Sequence, residues 1–254
     1  MRTVDTHAHL EEIGALDQVL AGARSAGLAA IIGVGSDLES NQKVLDIAGL
    51  HQGFVYPAMG LHPWNLKETE IDRNLEFIDS HADGAVGIGE IGLDYHKKVL
   101  AVAGKDLQKR VLAALLRIAG EHDRPAMLHS RYAWRDCLTL VEEARIERAV
   151  FHWYTGPSSV LRDIVGQGYY LSATPAIEYH EEHRRAIKEA PLERLLLETD
   201  SPVTYGKGGD LPYEARPSDV LRSLRGAAAL KGLPEADVAD ITTENAARLF
   251  GLRL

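Results

Sequence analysis

The chain has 254 residues, 45% of them hydrophobic and 26% charged, and a formal net charge of −9; that is ordinary soluble composition at a length suited to one α/β barrel. Its lone cysteine, Cys137, excludes an intramolecular disulfide framework, and no apolar run reaches membrane-spanning length. The acidic balance argues against a basic stripe gripping long nucleic acid, but not against a nucleic-acid substrate met by metal ions and a few local cations.

Residues 1–2 lead straight into a polar-studded strand with no secretory leader, so a cytoplasmic setting is expected. From there short β-like runs alternate with helical patterns, which predicts βα units around a parallel sheet. Residues 3–9 read as the first strand and 14–26 as a helix. The second strand is the apolar run 28–34, ended by Gly35, with Ser36-Asp37 as a cap for a helix over 39–50. A third strand over 54–60 leads into Leu61-His62-Pro63-Trp64 and a helix over 70–81. The fourth strand, 85–91, is followed by a loop over 94–103 and a helix with an aliphatic stripe over 105–121. Strand and helix then alternate as 125–129 with 132–144, 149–152 with 157–165, and 169–173 with 179–190. The eighth strand, 195–199, ends in Asp200-Ser201-Pro202. A Gly/Pro-rich loop over 203–217 and two or three helices close the chain. The pattern predicts one (β/α)8 TIM barrel over residues 1–254, with its working groups at the C-terminal ends of the strands.

The chemistry starts in Asp5-Thr6-His7-Ala8-His9. Alternate residues of a strand share a face, so Asp5, His7 and His9 point the same way, and two adjacent imidazoles can chelate a divalent cation. The plain alternative is an edge strand with two solvated histidines. Later strand ends add His62, Glu90, His129, His152 and Asp200, so five of the eleven histidines fall at these positions. Such donors could hold two divalent cations, with Glu90 placed to bridge them through its two oxygens. A cation pair of that kind can clamp a hydroxide and stabilise both the attacking and the leaving oxygen of a displacement.

The chain resembles the TatD family of metal-dependent deoxyribonucleases, within the amidohydrolase-like barrels. Its marks are Asp5-Thr6-His7-Ala8-His9, Gly60-Leu61-His62-Pro63, Gly89-Glu90-Ile91-Gly92-Leu93-Asp94-Tyr95, Leu128-His129-Ser130-Arg131, Phe151-His152-Trp153-Tyr154-Thr155-Gly156, Glu198-Thr199-Asp200-Ser201-Pro202 and residues 245–250. They stand in family order and span nearly the whole chain. The resemblance implies that His7 and His9 bind one metal, that Glu90 bridges, that His129 and His152 bind the second, and that Asp200 ligates the first and orients or deprotonates the attacking water. His62 would face a substrate phosphate. The implied cofactor is two divalent ions (Mg, Mn or Zn). The implied activity is phosphodiester hydrolysis by a metal-bound hydroxide at a DNA end or single strand, by a monomer or weak homo-oligomer. The alternative is ester or amide hydrolysis, such as deacylation of misacylated tRNA; many binuclear amidases bridge their metals with a carboxylated lysine, where this chain offers Glu90.

Three stretches depart from the family pattern: His152-Trp153-Tyr154-Thr155-Gly156 lacks its cysteine, the helix motif reads Gln108-Lys109-Arg110-Val111-Leu112, and Arg216-Pro217-Ser218-Asp219 replaces the motif after strand eight. These are expected to touch the substrate wall more than the ligands. Asp94 reads equally as a partner of a ligand or as a loop cap, and His180 and His183 as a solvated helix face. Gly87-Ile88-Gly89-Glu90-Ile91-Gly92 fits a dinucleotide pattern, but no helix follows it and Glu90 would repel a pyrophosphate. Cys137 reads as a packing residue. Arg131, Lys97, Lys98, Lys207 and Arg216 form a candidate cationic rim for substrate, or ordinary surface charge. Trp64, Tyr95, Tyr132, Trp153 and Tyr154 are candidates to stack unpaired bases or to pack the barrel mouth.

Overall fold

The computed structural model describes residues 2–206 and 212–254. Eight parallel strands lie in sequence order in one sheet: β1 (Thr3–Ala8), β2 (Leu28–Val34), β3 (Val55–Met59), β4 (Gly87–Gly92), β5 (Ala126–His129), β6 (Ala149–Phe151), β7 (Tyr170–Ala173) and β8 (Leu195–Leu197). The sheet curls until its edges meet. An isolated parallel bridge joins Ala8 to Ser201, the Asp200 N–H donates to the His7 carbonyl at 2.9 Å, and the His9 N–H donates to the Ser201 carbonyl at 2.8 Å. This is the expected (β/α)8 barrel.

The helices that cover it are α1 (Leu16–Ser25), α2 (Leu38–Leu50), α3 (Ile71–His81), α4 (Lys97–Leu100), α5 (Lys105–Glu121), α6 (Trp134–Glu143), α7 (Ser158–Gly166), α8 (Glu181–Glu189), α9 (Val220–Lys231) and α10 (Glu235–Phe250). Asp37 caps α2 as its sequence position predicts, accepting the Ser40 N–H at 2.9 Å. Two predicted loops contain short elements: α4 lies within 94–103, and a two-residue antiparallel pair, β9 (Thr204–Tyr205) with β10 (Tyr213–Glu214), lies within 203–217. Lys207 falls outside the described residues.

Period-two alternation sorts the strand residues into two cores. Val4, Ala30, Ile32, Val34, Met127, Val150 and Leu196 converge in the barrel interior, where Leu249 and Phe250 from the end of α10 join them. Their neighbours, including Ile31, Leu128, Phe151 and Leu197, pack outward against the helices. Because both faces are buried, the strands need near-continuous apolar runs, which is why the run 28–34 reads so clearly.

Three register shifts interrupt this regularity, and two of them lie toward the mouth. The β1–β2 register shifts between Asp5 and Ala8, around His7, and the β4–β5 register shifts between Ile88 and Ile91, around Glu90. Bulges of this kind re-aim side chains beside active sites. Two glycines allow the close approach. A Cβ on Gly60 would collide with the Glu90 backbone, and one on Gly92, at φ +149°, would collide with the His129 carbonyl.

Candidate metal centre

At the C-terminal end of the barrel the strands deliver six donor side chains to one point. The His7 and His9 Nε2 atoms lie 3.4 Å apart. Asp200 Oδ1 is 3.6 Å from the first and 3.5 Å from the second, and Glu90 Oε2 is 3.4 Å and 3.5 Å from them. A tetrahedral cation with N and O ligands at about 2.1 Å has donor–donor edges of about 3.4 Å. The spacing of His7, His9 and Asp200 therefore fits a divalent ion, and Glu90 Oε2 stands at the same distance from both rings.

The other oxygen of Glu90 faces the opposite way. Oε1 lies 2.9 Å from His129 Nδ1 and 2.7 Å from His152 Nε2, and those two nitrogens are 3.4 Å apart. Glu90 thus divides its oxygens between two groups of histidines, and its 4% exposure keeps it out of bulk water. His9 departs slightly from expectation: β1 stops at Ala8, and His9 begins a 3-10 turn, yet its ring still meets that of His7.

Hydrogen bonds on the far side of each ring decide which nitrogen is offered. His9 Nδ1 lies 3.0 Å from the Val34 carbonyl, an acceptor only, so Nδ1 carries the proton and Nε2 presents a lone pair. His129 Nε2 lies 3.0 Å from Asp94 Oδ2, which leaves Nδ1 as its donor atom. His62 is set the other way. Its Nδ1 accepts the Trp64 N–H at 3.1 Å, so Nε2 carries a proton toward Glu90 Oε1 at 3.5 Å. Distance alone would admit His62 as a ligand beside Glu90 and His129; its hydrogen bonding makes it a donor instead.

The titration behaviour follows from the same contacts. Burial alone would depress His9, but hydrogen bonds and charge from Asp200 and Glu90 hold it well above its ordinary value. Burial is likewise outweighed at His152 by the charge of Glu90 and Glu198, and at His129 by bonds to Asp94 and Glu90. Glu90 is held well below the carboxylate range despite its burial, by His62, His152 and His129, and Asp200 is lowered despite burial through His9 and His7. Burial pushes His62 down to about 4, so its ring is neutral. Buried acids surrounded by histidines that cling to protons suit a centre that exchanges those protons for cations.

Asp94 is both of the things its position suggested. Oδ1 caps the loop by accepting the His96 N–H at 2.8 Å, while Oδ2 accepts from His129, from Trp64 Nε1 at 2.6 Å and from Arg131 at 2.9 Å. Gln108 is a correction. It does not line the substrate wall: its Oε1 accepts the Asp94 N–H at 2.7 Å and its Nε2 donates to the Asp94 carbonyl at 3.0 Å, fixing the loop that orients His129. Asp5 faces away from the donors and ties β1 to the end of β8, accepting from Thr199 N and Oγ1 at 2.9 and 2.6 Å.

Other expectations also need revision. His183 is fully buried, not solvated; its Nε2 accepts the Thr174 N–H at 3.1 Å and its Nδ1 faces the Tyr154 carbonyl at 3.0 Å. The centre opens into a cavity of about 830 Å³ whose wall includes Trp64, Arg131, Tyr132, Trp134, Trp153 and His180. Of the expected cations, Arg131 is the one among the described residues that lines it; Lys97 and Lys98 lie in α4, and Arg216 caps a 3-10 turn. Tyr154 is buried and Tyr95 is bonded to Asp136, so both are packing residues, as is buried Cys137.

The sequence reading gave no role to Glu198, which is fully buried beneath His7 and His152. The signal was present: Glu198 and Asp200 stand two apart at a strand end, as His7 and His9 do. Two residues that line the cavity sit in left-handed backbone, Asp200 at φ +49° and Trp153 at φ +40°, a conformation that non-glycine residues adopt at a cost of about 1–3 kcal/mol and that concentrates at functional sites.

Comparison with known proteins matches residues 4–251 to the model of the TatD related DNase family. The human protein named deoxyribonuclease TATDN3 is 30% identical over 97% of this chain and 94% of its own length. A Bacillus subtilis protein described as the uncharacterized metal-dependent hydrolase YabD is 32% identical over 97% of this chain and 98% of its own. The crystal structure of YjjV, a TatD homologue from Escherichia coli K12, superposes with a TM-score of 0.88 at 27% identity, covering 99% of this chain and 98% of that one.

Proposed function

Because this chain belongs to the TatD family and is a metal-dependent hydrolase, we propose that it is a binuclear deoxyribonuclease that removes nucleotides from a single-stranded or frayed DNA end. The observation that carries this reading is the division of the Glu90 carboxylate between two sets of histidines. His7, His9 and Asp200 would hold one cation, His129 and His152 the other, with Glu90 shared. Divalent cations held there would supply Lewis acidity to a bound water and to phosphoryl oxygens.

The remaining steps belong to side chains. Asp200, beside His7 and His9, takes the proton of the attacking water as its oxygen bonds to phosphorus, and returns it to the sugar oxygen whose bond to phosphorus breaks. His62, neutral and fixed as an Nε2–H donor, binds a non-bridging phosphoryl oxygen without introducing a charge that would compete with a cation. Arg131 is 36% exposed and lies over the Trp64 ring at 5.1 Å, so it meets the next phosphate from the rim. Trp64 and Tyr132, 57% and 59% exposed, offer faces for unpaired bases. One lysine or arginine side chain lining the mouth, among the described residues of an acidic protein, suits a short DNA end better than a long duplex.

Labelled single-stranded DNA incubated with Mg²⁺ or Mn²⁺ tests the proposal, with Asp200→Ala as the control and an aminoacyl ester assayed in parallel. Metal-dependent shortening from an end by the wild type alone supports it. Equal rates for wild type and variant, or turnover of the ester without the DNA, would overturn it.

A further inference from the structure

Beneath the donor atoms three buried polar atoms face one another and have no hydrogen-bond partner among the described residues: His7 Nδ1, His152 Nδ1 and Glu198 Oε2. His7 Nδ1 is 3.7 Å from Glu198 Oε2, and His152 Nδ1 is 3.5 Å from Glu198 Oε1. Each gap is a few tenths of an ångström beyond a hydrogen bond. The carboxylate is anchored on one side only: Oε1 accepts from Ser172 Oγ at 2.7 Å and from the Trp153 N–H at 3.0 Å. Leaving three such atoms unpaired would cost about 1–3 kcal/mol each, so the arrangement has meaning only if the rings donate to the carboxylate.

We infer that Glu198 is a positioning residue, a single acceptor that receives the Nδ1–H of His7 and of His152 and so fixes one histidine of each cation site with its Nε2 lone pair toward the metal. The inference rests on the two-cation reading of the site. It makes Glu198 a link between the two halves from below, as Glu90 is from above, and it accounts for an acid placed where it touches neither solvent nor substrate.

The asymmetry of the anchor gives a sharp test. In Glu198→Gln the amide oxygen must stay at the Oε1 position, where Ser172 and Trp153 donate, so the amide NH₂ faces His7. Two donors then oppose each other, and His7 moves its proton to Nε2, the atom a cation needs. His152 keeps its acceptor.

The experiment combines ¹⁵N-histidine NMR of the protein, as purified and after loading with Zn²⁺, with calorimetric titration by Mn²⁺. Wild type is expected to show Nδ1–H at both His7 and His152. Glu198→Gln is expected to switch His7 alone and to weaken one of two cations by about 10- to 100-fold, while Ser172→Ala keeps both tautomers. A wild-type His7 that carries a proton on Nε2 and none on Nδ1 overturns the inference, whether or not the variant folds. So does a Glu198→Gln protein with both cations bound as in wild type, or a Ser172→Ala protein that behaves like Glu198→Gln, which would show packing alone at work. Uptake of fewer than two cations by wild type would sink the binuclear reading instead, while the tautomers would still decide the role of Glu198.

Discussion

Asp94 Oδ2 lies 3.0 Å from His129 Nε2, on the side of the ring opposite Glu90. The carboxylate is fully buried and every group that touches it is a donor: His129, Trp64, Arg131 and the His96 N–H. Those contacts outweigh burial and hold Asp94 well below the carboxylate range. It is therefore charged whenever the enzyme works, and it makes the His129 ring a better electron donor at Nδ1.

Asp94→Asn replaces one acceptor with an NH₂ group aimed at other donors. Cation affinity is expected to fall by about 10- to 100-fold, with a lower melting temperature because a buried network is left half satisfied. Calorimetric titration with Mn²⁺ and a thermal melt check both. An affinity equal to wild type would show that His129 is oriented by Glu90 alone.

Asp200→Asn separates proton handling from backbone geometry. Asparagine tolerates the left-handed backbone at position 200 better than alanine does, so the turn after β8 should survive. The amide cannot take a proton from water, and kcat on single-stranded DNA is expected to fall by about 10²- to 10⁴-fold. A loss confined to KM would assign Asp200 to binding and remove it from the chemical step.

Chelation should abolish hydrolysis and lower the melting temperature, because cations that bind only the folded chain add their binding free energy to its stability. The pH dependence has a definite sign. His9, His129 and His152 are all raised above the ordinary histidine value, so each must lose a proton before it can offer a lone pair. Apparent cation affinity should therefore rise with pH through the neutral range, by about tenfold per pH unit for each proton displaced. Titrations at several pH values, in buffers of different ionisation enthalpy, count those protons. An affinity flat in pH would mean that the rings are already neutral.

Much of this arrangement is legible in the sequence because barrel strands are long apolar runs with polar ends. That one rule finds His7, His62, Glu90, His129, His152 and Asp200 without knowledge of which strands pair. The register shifts around His7 and Glu90 are not legible, since they depend on the hydrogen-bonding partner and not on local residues. Gln108 is expected at the substrate wall because its partner Asp94, fourteen residues away across a loop, leaves no trace in the helix pattern. α4 and the β9–β10 pair are too short for any periodicity to show. His183 sits in Glu181-Glu182-His183-Arg184-Arg185, which looks solvated throughout; only the packing of α8 against Thr174 and Tyr154 reveals that one side of it is closed.

That misread histidine supports a last prediction, on stability. Burial pushes His183 down to about 4, and its two hydrogen bonds, one accepted and one donated, suit the neutral ring. In the unfolded chain the same ring titrates near 6.5. Between those values the unfolded state binds a proton that the folded state refuses, so stability falls as the pH drops from 6.5 toward 4 and is intact above 6.5. The difference corresponds to about 3 kcal/mol lost by the acid end of that window. Glutamine can reproduce one donor and one acceptor without titrating, so His183→Gln should flatten the slope of unfolding free energy against pH there while leaving the histidines of the metal centre untouched. Urea unfolding of the two proteins at pH 7 and pH 4.5 checks it. Parallel losses in both would assign the acid sensitivity to other groups and show that His183 takes up its proton without leaving the fold.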